Sequence, residues 1–303
     1  MVEYTPTPEF TFMAEVSSSP RFYEVAYQIS PKIQVRWGKV WIPFDDLSPH
    51  NIFGGRVNTS KLAYQPNLML LPDIWADLGV VGKFRLMENN KNTVDAHLYV
   101  VNGFQQTTDS TGAVIQTGSI YPNFASTTGG ALGDNNSQKD FGGRLQYKYG
   151  QSFSLGGSYY KGTYTDRSYP STSVADKKMH GLSILGLDVQ FRPTNMTEVR
   201  AGYVTMSVDL KSTDTVTKAK RGGTYVELGQ KFGADRTWKA LIRGGQVQAD
   251  DRVATAGDLS IVGITLLKMV GPLQFSIEYN KDSKQAAGKS AMTYGAFRIV
   301  TAL

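Results

Sequence analysis

Leu273-Gln274-Phe275-Ser276-Ile277-Glu278-Tyr279-Asn280 alternates apolar and polar side chains without a break. Successive residues of a strand point to opposite faces, so this segment has one greasy face and one wet face. The pattern recurs along the chain. Tyr23, Val25, Tyr27 and Ile29 form one such apolar set, and Leu78, Val80, Phe84 and Leu86 another. Phe141, Leu145, Tyr147 and Tyr149 are followed by Phe153, Leu155 and Tyr159, and later by Leu185, Leu187, Val189 and Phe191. Trp238, Ala240 and Ile242 continue the series. A soluble sandwich would turn these faces inward. A membrane barrel turns them outward to lipid and leaves the polar faces to a lumen.

This alternation predicts fourteen strands, at 9–16, 21–29, 33–42, 74–88, 93–102, 139–149, 152–164, 181–192, 197–209, 223–232, 237–249, 258–270, 273–281 and 292–303. In 258–270, Ile261, Ile264 and Leu267 also fit a helical period. Connections alternate between short and long. Tight turns at Ser30-Pro31-Lys32, 89–92, Gly150-Gln151, 193–196, 233–236 and Gly271-Pro272 use Gly, Pro, Asn and Asp. Longer polar loops span 43–73, 103–138, 165–180, 210–222, 250–257 and 282–291. Many strands reach the roughly 9–11 residues that a tilted membrane strand needs, beyond the 5–6 usual in soluble sheets. Aromatic residues such as Tyr147, Tyr149, Trp238 and Tyr279 stand at strand ends, where a bilayer interface places its girdles. The expectation is one all-β domain over 1–303, a transmembrane antiparallel up-and-down barrel. It has about 14 strands with both termini on the short-turn side, or 16 if N-terminal strands have been trimmed.

Composition agrees. The chain of 303 residues carries 31 Gly, 16 Tyr and 14 Phe with 19% charged residues, a balance that suits strands rather than long helices. It has no cysteine, which excludes disulfides and thiolate metal sites. No apolar run is long enough for a transmembrane helix, and Met1-Val2-Glu3-Tyr4 does not read as a signal peptide. Lys and Arg are dispersed under a formal charge of +6, which argues against a nucleic-acid surface.

No catalytic constellation stands out. His50 follows Asp45 and Asp46, His97 lies near Asp95 and Tyr99, and His180 precedes Gly181. None has nucleophile–base or metal-ligand spacing. Gly288-Lys289-Ser290 lacks the first glycine of a phosphate loop, since position 283 is Ser283. The sequence therefore points to no enzyme and no cofactor.

If the apolar sets face lipid, the residues between them line the channel. These include Arg36, Lys83, Arg85, Arg144, Lys148, Arg200, Lys231, Lys239, Arg243 and Arg298, against Glu15, Glu24, Asp77, Asp95, Asp188, Glu198, Glu227 and Glu278. Arg36, Arg144, Arg200 and Arg243 are expected to meet acids such as Glu198 and Glu227. One reading is a balanced wall that only holds water. The other is a basic strip that attracts anions, because fixed guanidinium groups bind phosphate and carboxylate well. The 103–138 loop carries Phe104, Ile115, Ile120, Tyr121 and Phe124. It can fold into the barrel as a constriction or stand outside.

Ala26-Tyr27-Gln28-Ile29-Ser30-Pro31-Lys32-Ile33-Gln34-Val35-Arg36-Trp37-Gly38-Lys39-Val40-Trp41-Ile42-Pro43-Phe44 resembles the strand–turn–strand signature of the phosphate-selective porin family and its uncharacterised outer-membrane relatives. Leu71-Pro72-Asp73-Ile74-Trp75, Val101-Asn102-Gly103 and Gly143-Arg144-Leu145-Gln146-Tyr147 are similar to later parts of that pattern. The resemblance covers roughly 9–105 and 139–165. The chain departs from the family in ending on Leu303 rather than an aromatic residue. The resemblance implies a porin of the Gram-negative outer membrane that passes small hydrophilic solutes or ions; the expectation of a mild anion preference follows instead from the small basic excess of the wall, ten cations against eight acids. Outer-membrane lipid and lipopolysaccharide would surround it, alone or as a homo-oligomer. The alternative is a structural sleeve that encloses or anchors a protein partner in its lumen or at the surface.

Overall fold

The computed structural model describes residues 2–16, 20, 22–44, 75–106, 124–126, 138–164, 181–209, 218–248, 259–271, 273–284 and 292–301. Among these the elements are β1 (Val2–Thr7), β2 (Phe10–Ala14), β3 (Tyr23–Ser30), β4 (Ile33–Trp41), β5 (Ala76–Asn89) and β6 (Asn92–Val101). A small pair follows, β7 (Phe104–Gln106) and β8 (Phe124–Ser126). Then come β9 (Asp140–Tyr149), β10 (Phe153–Thr163), β11 (Gly181–Phe191), β12 (Thr197–Asp209), β13 (Lys218–Phe232), β14 (Trp238–Gln248), β15 (Leu259–Val270), β16 (Leu273–Lys284) and β17 (Met292–Thr301). Fifteen strands form one antiparallel sheet in sequence order, with β7 and β8 paired apart from it. All the strands expected from alternation are present, and 258–270 is the strand β15, not a helix.

The fifteenth strand, β1, precedes the first expected strand, with Pro6 inside it and Pro8 in the turn that follows. It stands at the end of the sheet order, where a strand can lack a donor on its outer side, and its ladder with β2 shifts between Tyr4 and Thr7. β1 also changes one expectation. Val2 pairs with Ala14, at the long-connection end of the sheet, while Thr301 pairs with Leu273 at the tight-turn end. The two described ends of the chain therefore lie at opposite ends of the barrel.

The outer face is the apolar one. Leu155, Leu187, Phe191, Ile242 and Phe297 are exposed, and Ile277 is 62% exposed. Trp238 and Phe275 share that outward parity and are partly covered by neighbours. Near the tight turns Tyr149, Phe232 and Trp238 form part of an aromatic girdle. Phe232 stacks on Trp238 with ring centroids 6.2 Å apart, and Lys268 sits 4.9 Å over the Trp238 ring. Such a surface is stable only against lipid.

The inner face changes character along the barrel axis. Toward the tight turns it carries Arg36, Asp95, Arg144, Asp188 and Arg200. Toward the long connections, from β4 to β12, it carries Val40, Val81, Tyr99, Val101, Tyr160, Leu182, Ile184, Met206 and Val208. Ile42, Phe44, Trp75 and Phe104, which lie at the roots of the two long connections, pack onto this inner apolar wall. A membrane barrel with a simple wet lumen would show neither feature.

Candidate functional site

Antiparallel pairing propagates side-chain parity from strand to strand, so inward residues of neighbouring strands meet. His97 pairs with Lys83 on one side and Arg144 on the other, and Arg144 pairs with Ser158. Asp188 lies opposite Gly156, and Glu227 lies between Arg200 and Arg243. The result is a charged wall facing a cavity of about 750 Å³.

Strands β1 to β6 and β9 to β12 all contribute to the cavity, which therefore lies inside a curved sheet. Its lining holds six cations, Arg36, Lys83, Arg144, Lys148, Arg192 and Arg200, and three acids, Glu3, Glu24 and Asp95. Gln34, Gln146, Gln190, His97 and Ser154 supply neutral polar groups, and Trp41 and Pro43 close one end. Gly150, Gln151 and Arg192 place the other end at the tight turns. The cavity is thus a vestibule on the tight-turn side.

The cationic groups of the wall are largely engaged by carboxylates. Arg36 donates through Nη1 to both oxygens of Glu24 at 3.0 Å. Asp95 receives Arg85 Nε at 2.9 Å and Lys83 Nζ at 3.5 Å, while Arg85 also holds Glu88 at 2.8 Å. Arg144 is bidentate on Asp188, with Nη2 at 2.8 Å from Oδ1. Glu198 gathers Arg200, Arg192 at 3.4 Å and Lys239 at 3.3 Å. Arg243 pairs with Glu278 and reaches Asn280 Oδ1 at 3.1 Å. Bidentate guanidinium–carboxylate pairs fix geometry and leave little charge for a passing solute. Lys148 differs, because no carboxylate lies within ion-pair distance of it among the described residues.

Four of the nine residues expected to line the pore, Arg36, Arg144, Lys148 and Arg200, line this vestibule. Arg85, Lys239, Glu198, Arg243 and Glu227 share the inward parity but lie outside the lining, and Arg243 and Glu227 are buried. Of the expected partners, Glu198 does hold Arg200. Arg36, Arg144 and Arg243 pair with Glu24, Asp188 and Glu278. The Arg298 side chain, His50 and His180 lie outside the described residues. His97 faces the vestibule, with its Nδ1 buried and making no hydrogen bond among the described residues. No group of three metal-ligating side chains occurs among the described residues.

The roots of the 103–138 loop are fixed inside the barrel. Gly103 adopts φ +98°, in the left-handed region open to glycine, and its N–H donates to Asp77 Oδ2 at 2.7 Å. Asp140 accepts from Tyr160 Oη and from Thr163 N–H at 2.9 Å. The Phe104 ring sits 5.4 Å from Tyr160 and 5.3 Å from Trp75. Ile115, Ile120, Tyr121 and the Phe124 side chain lie outside the described residues.

This architecture is that of bacterial outer-membrane channel barrels. The chain is similar in structure to the outer-membrane channel DcaP of Acinetobacter baumannii, with a TM-score of 0.59 at 11% identity over 97% of this chain and 80% of that one. It is similar to the outer-membrane protein OmpT of Vibrio cholerae, with a TM-score of 0.54 at 11% identity over 98% and 85%. The anion-selective porin of Comamonas acidovorans gives a TM-score of 0.52 at 10% identity over 99% and 82%. No family model and no curated protein matches the chain.

Proposed function

We propose that this protein is a passive diffusion channel of the outer membrane for small hydrophilic solutes, with a mild preference for anions. The observation that carries the reading is a polar, charge-lined cavity inside a barrel whose outer face is apolar. Outer-membrane lipid is the natural partner of that outer face. The anion preference rests on Lys148, which lines the vestibule with no carboxylate partner among the described residues, whereas Arg36, Lys83, Arg144, Arg192 and Arg200 are held by carboxylates. Fixed cations along a wet path raise the local anion concentration without binding any one ion tightly.

Selectivity is tested by the reversal potential of the purified protein in a planar bilayer under a potassium chloride gradient. A potential on the chloride side is expected, shrinking at high salt as fixed charges are screened. A clear cation preference would refute the anion assignment.

A further inference from the structure

Phe44 stands where the sheet alone does not place it. Ile42 still extends the β4–β5 ladder, its N–H donating to Trp75 O at 2.9 Å. Two residues later, the Phe44 carbonyl accepts from Arg144 Nη1 of β9 at 3.1 Å and from Ser158 Oγ of β10. β10 is four strands from β4 in the sheet order. At about 4.8 Å per strand that is roughly 19 Å along the wall. Two residues span at most about 7 Å. The segment therefore leaves the wall and enters the lumen, where inward side chains of β9 and β10 meet it.

The receiving wall is shaped for it. Gly186 faces inward on β11, and a Cβ there would come within 2.6 Å of the Phe44 ring. Gly156 leaves the space filled by the Arg144 guanidinium. That guanidinium is locked by Asp188 and by Ser158 Oγ at 3.0 Å. The root is pinned as well, because Glu24 accepts from Trp41 N–H at 3.0 Å and Arg36 Nη2 donates to Trp41 O at 3.2 Å. On its long-connection side the Phe44 ring lies 5.0 Å from Trp75. On its tight-turn side Trp41, Pro43 and Arg144 close the vestibule.

We infer that residues 42–44 form a fixed strap that sets the constriction of the pore, seated in a cradle of Arg144, Gly156, Ser158, Gly186 and Asp188. Arg144 is then a positioning residue for the strap rather than a ligand for solutes. The inference rests on the channel reading. It assigns the narrowing to the root of the first long connection and not to the longer 103–138 loop.

The test is single-channel conductance of the full-length protein and three variants, each checked for folding by heat-modifiable gel mobility. Gly186→Leu fills the seat of the Phe44 ring, Phe44→Ala removes the ring without adding bulk, and Gly157→Leu is a lipid-facing control on the adjacent strand. Conductance follows pore cross-section, so Gly186→Leu and Phe44→Ala are expected to conduct about twofold more than wild type, with Gly157→Leu unchanged. Added bulk at an inward position lowers or preserves conductance if no strap is displaced. An unchanged or reduced value for Gly186→Leu, or an unchanged value for Phe44→Ala, overturns the inference. Arg144→Lys keeps the charge and loses the bidentate fork. It should raise conductance and leave the reversal potential unmoved, whereas a shifted potential at constant conductance would make Arg144 a solute ligand. A wild-type protein that does not conduct sinks the channel reading instead.

Discussion

Ile277→Arg probes the outward orientation of the apolar face. Of the outward side chains of β16 that are described, Leu273, Phe275, Ile277, Tyr279 and Lys281, Ile277 is the central one. It is flanked in register by Leu266 of β15 and Phe297 of β17, and it is 62% exposed. That places it near the bilayer midplane, where an arginine on the lipid face costs about 2–4 kcal/mol. Leu273, beside the tight turn, lies at the interface, where the same change costs about 0–1 kcal/mol. The two variants should therefore differ by about 2 kcal/mol or more. Denaturant unfolding of barrels refolded into lipid vesicles measures this, followed by fluorescence of the four tryptophans. Equal costs at the two positions, or a neutral Ile277→Arg, would refute the assignment of this face to lipid.

Removing one partner of a buried ion pair strands the other, so Arg243→Met should destabilise by about 3–5 kcal/mol in the same assay. Lys148→Glu should move the reversal potential toward cations, more at 0.1 M than at 1 M salt, because the screening length falls from about 10 to about 3 Å. Asp235 in the β13–β14 turn is held below the usual carboxylate range by the Thr237 hydroxyl, then by the Thr237 N–H. Its folded-state value is depressed, so its contribution to stability is present above the ordinary value of 3.8 and fades as pH falls below it. Acid titration of unfolding should show wild type and Asp235→Asn converging below that pH.

Strand order and the facing of most side chains were legible because a period of two survives even in short segments. Leu273–Asn280 shows it plainly. β1 shows no such clear alternation, since Pro6 falls inside it, where a strand at the end of the sheet order tolerates it, and Pro8 follows in the turn. The apolar inner half had a local signal: Leu182 and Ile184 are inward while Leu185 and Leu187 are outward, so β11 is greasy on both faces near one end. Val204, Met206 and Val208 repeat it on β12. Alternation alone cannot say what covers such a patch. Ion-pair partners needed the register between strands, which is why Arg36 was not matched to Glu24 nor Arg243 to Glu278. The strap was least legible. Phe44 and Arg144 are 100 residues apart, and no periodic pattern links a loop root to a distant wall.

The central claim is that the barrel encloses an open, water-filled path. Purifying the protein from native membrane and inserting single copies into a planar bilayer tests it most directly. Discrete, ohmic conductance steps from a preparation containing this chain alone are predicted. A fully folded preparation that stays silent, or that carries a second polypeptide in stoichiometric amount within the barrel, would contradict the account and favour a sleeve around a partner.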